Sequence, residues 1–160
     1  VISGTNDDNS INLAEMISDR LAKEGRYRVI TRAEINQKVS KYPLNTNFID
    51  FDITENEAKR HTPYISDTSK EKIDSFQKLI KVDYIFVVWV TKVGTLNNMS
   101  QRYIIVVTRL ISYPHGDVVG YSHEMNEKET YCCLDFVKWE DVFDNATERL
   151  VEEIIKDTRK

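Results

Sequence analysis

Cysteine, proline and glycine are scarce in this chain of 160 residues, at two, three and five respectively. The two cysteines, Cys132 and Cys133, are neighbours. Adjacent residues can bridge only by straining the peptide between them, and the pair lacks the spacing of a zinc site. They read as structural thiols. The glycines Gly4, Gly25, Gly94, Gly116 and Gly120 form no G-x-G, and no G-K-[ST] occurs, so no phosphate-cradling loop is written here. The G-x-S-x-G nucleophile motif is also missing. No two of His61, His115 and His123 stand at i, i+3 or i, i+4, and none shares a short motif with cysteine. The longest unbroken apolar run, Tyr84 to Val90, is far short of the roughly 20 residues that span a membrane. These absences lead to the expectation of no catalytic residue, no metal ligand and no cofactor.

What is present suits one folded domain over residues 1–160. Apolar residues make up 41% and charged residues 30%, and a chain of this length buries roughly 70% of its unfolded surface without needing a disulfide or metal staple. Lys and Arg number 22 against 26 for Asp and Glu, a net charge of -4. That acidic balance argues against a nucleic-acid partner and removes the simplest attraction to an anionic membrane. Carboxylate pairs such as Asp7-Asp8, Asp50/Asp52 and Glu152-Glu153 follow from composition and read as solvated. Lys70, Lys72, Lys78 and Lys81 alternate with Glu71 and Asp74 as a mixed solvated face.

Hydropathy patterning supplies the elements. Val1-Ile2-Ser3-Gly4 reads as the end of a strand whose beginning is missing; the chain opens without Met and shows no signal peptide. Asp7 to Ser10 is a run of cap-forming residues, with Asp8, Asn9 or Ser10 expected to cap a helix carrying Leu13, Ala14, Ile17 and Leu21 on one stripe. Gly25 ends it. Tyr27 to Thr31 is short and β-branched and predicts a strand. Thr31 and Glu34 form a capping box ahead of a short helix with Ile35 and Val39. Thr68 and Glu71 form a second, ahead of a helix with Ile73, Phe76, Leu79 and Ile80. Asp83 to Val93, Gln101 to Ser112 and Val118 to Met125 predict three successive strands, with turns at Gly94–Ser100 and Tyr113–Asp117. Asn126 to Lys138 reads as a connector. From Trp139 onward Val142, Phe143, Ala146, Leu150, Val151, Ile154 and Ile155 mark a last helix. The expected fold is α/β (α+β): a mixed sheet ending in a three-strand meander, with helices packed on it.

Residues 42–66 break this rhythm. Pro43 and Pro63 flank a polar segment, with one helical turn expected near Glu55 to Arg60. Phe48, Phe51 and Tyr64 place aromatic bulk in it. Long loops inside domains are commonly functional, and aromatic anchors are what protein interfaces use. These three residues are the candidate partner-binding set; the competing reading is that they tuck the loop onto its own domain.

Three stretches resemble a bacterial envelope family. Leu13 to Ala22 followed by Tyr27-Arg28-Val29-Ile30-Thr31-Arg32 is similar to that family's helix-and-strand run. Val82-Asp83-Tyr84-Ile85-Phe86-Val87-Val88 resembles its central strand. Gly116-Asp117-Val118-Val119-Gly120-Tyr121-Ser122 resembles its return strand. The family comprises the N-terminal domain of the translocation protein TolB, CsgG, FlgO and the LpoB-like lipoproteins. Trp89 stands where that family often has glycine, and the 42–66 loop is longer than its pattern. The resemblance implies a TolB-N/anticodon-binding-like sandwich and a non-catalytic periplasmic domain that binds another envelope protein. It also implies an outer-membrane association through a lipidated Cys upstream. Two alternatives remain at this point: a homo-oligomeric structural subunit of an envelope or secretion assembly, and a small hydrolase or metal enzyme built on His115, His123 and nearby acids.

Overall fold

Every residue from Ile85 to Trp89 is buried, which requires a strand covered on both faces. The computed structural model describes residues 1–4, 7–39, 67–96, 101–114, 117–129 and 138–159. Along these the elements run β1 (Ile2–Ser3), α1 (Asp8–Glu24), α2 (Arg32–Val39), α3 (Asp67–Ile80), β2 (Tyr84–Leu96), β3 (Gln101–Ser112), β4 (Asp117–Glu129) and α4 (Trp139–Asp157). The four described strands form one mixed sheet in the order β1-β2-β3-β4. β1 lies parallel to β2, and β2, β3 and β4 form an antiparallel meander. The α+β class expected from the sequence is the observed one.

The sheet divides the core in two. On one face Phe86, Val88, Ile104, Val106 and Leu110 meet the stripes of α1 and α4, centred on Leu13, Ile17, Val142 and Leu150. On the other, Ile85, Val87, Trp89, Val107 and Ile111 meet Ile35 of α2 and Ile73, Phe76 and Ile80 of α3. The layers are therefore helix, sheet, helix. Gln77 fills the remaining inward position of α3 at 1% exposure, and its amide donates to the Asp83 carbonyl at 3.5 Å. Lys38 of α2 donates to the Ile80 carbonyl at 2.8 Å and so ties the end of α3 to its neighbour.

The Thr31/Glu34 box forms as expected. The Glu34 N–H donates to the Thr31 hydroxyl at 3.3 Å and the Thr31 N–H donates to the Glu34 carboxylate at 2.9 Å. These bonds from Thr31, backbone first, hold the Glu34 carboxyl below its ordinary pKa. A depressed carboxyl stabilises the fold above the unfolded-state pKa, and that contribution disappears as pH falls through the folded-state value. The melting-temperature difference between the native chain and Glu34→Ala is therefore expected to be full at pH 7 and to shrink as pH falls through the folded-state pKa. A difference that does not shrink on acidification would show that the carboxylate is not the source.

Five sequence expectations need correction. The cap of α1 is Asp7, whose carboxylate accepts from the Ser10 N–H at 2.9 Å, rather than Asp8, Asn9 or Ser10. Ser10 is engaged elsewhere, as shown below. Thr68 lies inside α3, which already begins at Asp67. Tyr27 to Thr31 forms no strand: Ile30 is buried in strand fashion, yet no ladder joins the segment to the sheet. Gly94 does not start a turn. Strand β2 continues to Leu96 because the Tyr103 ring, directly across the ladder, lies over Gly94 and occupies the place of its missing side chain. β4 likewise runs to Glu129, since Asn126 to Glu129 pair with Gln101 to Ile104. The 42–66 segment lies outside the described residues.

Candidate functional site

A buried polar side chain joins the sheet where β1 ends. β1 pairs with β2 only at Ile2↔Val87 and Ser3↔Val88, and Gly4 donates one further bond to the Val88 carbonyl at 2.8 Å. Further along β2, the Val90 N–H turns to a side chain of α1. The Ser10 hydroxyl, fully buried in the first turn of α1, accepts that N–H at 2.9 Å and extends the ladder by one rung. Ser10→Ala leaves a buried N–H unsatisfied, at a cost of roughly 1–3 kcal/mol. The expected result is a lower melting temperature together with faster amide exchange at Val90; unchanged Val90 exchange would refute the assignment.

Trp89 lies against the same corner. Its indole occupies the space a side chain on Gly4 would need, and the Arg109 guanidinium sits 5.6 Å from its ring centroid. Arg109 is 2% exposed and Trp89 4%. Sequence reading placed Trp89 in a family position often held by glycine. In space the ring on β2 faces Gly4, the residue that follows β1.

Two cavities of about 360 Å³ each flank β1. The first is walled by Tyr84, Ile85 and Phe86 of β2, by Tyr27 to Ile30, and by the ends of α3 and α4. Tyr27 is anchored there by a hydrogen bond between its hydroxyl and that of Thr158, which donates in turn to the Ile154 carbonyl at 2.7 Å. The second lies on the outer side of β1, between α1 and the first turn of α2. Tyr84, Tyr113 and Val119 expose between 40% and 43% of their surface at the end of the sheet where β2 begins.

Of the residues singled out in the sequence, Phe48, Phe51 and Tyr64 lie outside the described residues, as do His61, His115, Cys132 and Cys133. His123 is on β4 opposite Val107. Among the described residues no group of three or more His, Cys, Asp or Glu could hold a metal ion. None of the described helices is long and apolar enough to cross a membrane. Sequence reading missed the Ser10–Val90 bond and both cavities. Their parts lie tens of residues apart in the chain, and no local pattern links them.

No protein-family model matches the chain, and no curated protein matches it. Solved structures do resemble it. The lipoprotein GNA1162 from Neisseria meningitidis matches at 13% identity with a TM-score of 0.54, over 97% of this chain and 93% of that one. The hypothetical protein CT253 from Chlamydia trachomatis matches at 11% identity with a TM-score of 0.50, over 94% and 87%. The chain thus has a fold that a bacterial lipoprotein also uses, shared over nearly the full length of both.

Proposed function

We propose that this chain is the binding domain of a bacterial envelope lipoprotein, which docks on another envelope protein and carries out no chemistry of its own. The observation that carries this reading is the likeness to a lipoprotein over 97% of the chain. The described polar side chains support it by the work they do: Ser10 holds Val90, Thr147 donates to the Phe143 carbonyl, and Thr158 holds Tyr27 and Ile154. Each completes the fold. The TolB-N/LpoB-like kinship, the periplasmic location and the outer-membrane anchor belong to the same proposal. So does the docking set Phe48, Phe51 and Tyr64, because rings in a polar segment offer apolar area that a partner can cover.

A photo-activatable amino acid placed at Phe48, Phe51 or Tyr64 in the cell tests it. The expected result is a discrete adduct with one envelope protein, absent when the probe replaces Glu152 on the exposed side of α4. Adducts confined to the chain's own residues would show that the three rings pack inward instead.

A further inference from the structure

One cavity meets both halves of the core. The space between β2 and Tyr27–Ile30 is walled by Leu21, Leu110 and Ile154 from the α1–α4 side and by Ile35, Phe76 and Ile80 from the α2–α3 side. All six are buried. Packed interiors leave few voids larger than a water molecule, and a large apolar void is a poor host for water. A cavity of about 150 Å³ with walls of this kind takes up benzene. In proportion, about 360 Å³ has room for roughly a dozen carbons.

The mouth of this cavity is mainly positive. Arg26, Arg28 and Lys81 line it against one carboxylate, Asp83, and all four are exposed. That local excess runs against the net charge of the chain, which is -4. Arg28 also attracts Glu34, but Thr31 holds that carboxylate at the cap of α2. Lys81 takes its place at a conformational cost. It closes α3 with a φ of 59°, and its N–H donates to the Gln77 carbonyl at 2.7 Å. This is the left-handed region, where glycine is the unstrained residue. Arg26 and Arg28 belong to the other wall, the segment that follows α1. Guanidinium groups bind carboxylate and phosphate through paired hydrogen bonds.

We infer that this cavity binds an anionic single-chain amphiphile, whose alkyl chain lies between the two halves of the core and whose carboxylate or phosphate head is held by Arg26, Arg28 and Lys81. The apolar walls account for the chain and the cationic mouth for the head. The site is separate from the docking set Phe48, Phe51 and Tyr64, and either can fail without the other.

Titration of the isotope-labelled protein with dodecanoate at pH 7, followed by amide NMR shifts, tests it. Saturable shifts are expected at Ile30, Ile80 and Phe86. Dodecanol, which has the chain without the charge, is expected to bind about tenfold more weakly or worse. Decanoate is expected to bind on the order of tenfold more weakly than dodecanoate, since each buried CH₂ contributes about fourfold. A parallel titration with dodecyl phosphate distinguishes the two heads: the anion that binds tighter is the one the mouth is built for. The variant Arg26→Gln/Arg28→Gln changes exposed side chains only and is expected to lower the affinity for dodecanoate to that for dodecanol, leaving dodecanol unchanged. Shifts that fail to saturate, or that spare Ile30, Ile80 and Phe86, would overturn the inference. Equal binding of dodecanoate and dodecanol would overturn the assignment of the head, and equal binding of decanoate and dodecanoate that of the chain.

Discussion

Leu150→Ala lowers the melting temperature by roughly 10 °C. Leu150 is at the middle of α4 and is 0% exposed, between the stripe of α1 and the sheet residues of the same face. Truncating a buried leucine forfeits the transfer energy of three carbons and leaves a hole, together costing about 2–5 kcal/mol. Collapse can fill the hole only if a neighbour moves. Ala146 and Thr147, one turn before it in α4, are short and already buried, Val151 and Ile154 after it are buried as well, and Ile17 and Leu13 across the interface belong to the stripe of α1. The cost should therefore fall in the middle of that range. For a domain of this size each kcal/mol is worth about 2–4 °C. Thermal unfolding followed by circular dichroism measures it. A loss under about 3 °C would mean that the α1–α4 layer contributes little to the folded state.

Gly4→Val is expected to cost about 3 kcal/mol, by excess volume rather than by a void. A Cβ at this position falls on the Trp89 indole, so one of the two must shift. Trp89 has little room to yield, since it is buried among the α2–α3 face residues with Arg109 beside its ring. Moving Gly4 instead sacrifices its bond to the Val88 carbonyl and disturbs a strand that pairs at only two positions. Overpacking a tight site typically costs about 1–3 kcal/mol, and the lost backbone bond adds about 1 kcal/mol. The double variant Gly4→Val with Trp89→Ala should recover part of the loss relative to the sum of the single changes. Additive losses would show that the two residues do not compete for the same space.

Both effects depend on features of unequal legibility. The α4 stripe was readable from 3.6-residue spacing alone, because a helix buries its own neighbours in sequence. So was the Thr31–Glu34 box, whose four residues contain all its partners. β3 was bounded correctly at Gln101 and Ser112, where apolar patterning begins and ends. The errors arose where the deciding partner is remote. Gly94 reads as a turn until Tyr103 is laid across it. Asp8, Asn9 and Ser10 each read as a cap for α1, yet Asp7 takes the place, and the Ser10 hydroxyl serves Val90, 80 residues away. Tyr27–Thr31 carries the composition of a strand, but strand formation requires a neighbour's backbone, which no composition records. Of the site, the sequence offered aromatic bulk at Phe48, Phe51 and Tyr64 and gave no sign of the β1 corner. A corner assembled from β1, the first turn of α1 and β2 has no local signature.

The central claim is that the domain works by docking, and the double variant Phe48→Ala/Phe51→Ala tests it most directly. Two quantities are read together: the yield of the envelope-protein adduct formed from a photo-probe at Tyr64, and the melting temperature of the purified domain. Docking through these rings predicts an adduct yield reduced about tenfold or more, with the melting temperature changed by less than about 2 °C. An undiminished adduct, or a melting temperature lowered as far as by Leu150→Ala, would contradict it.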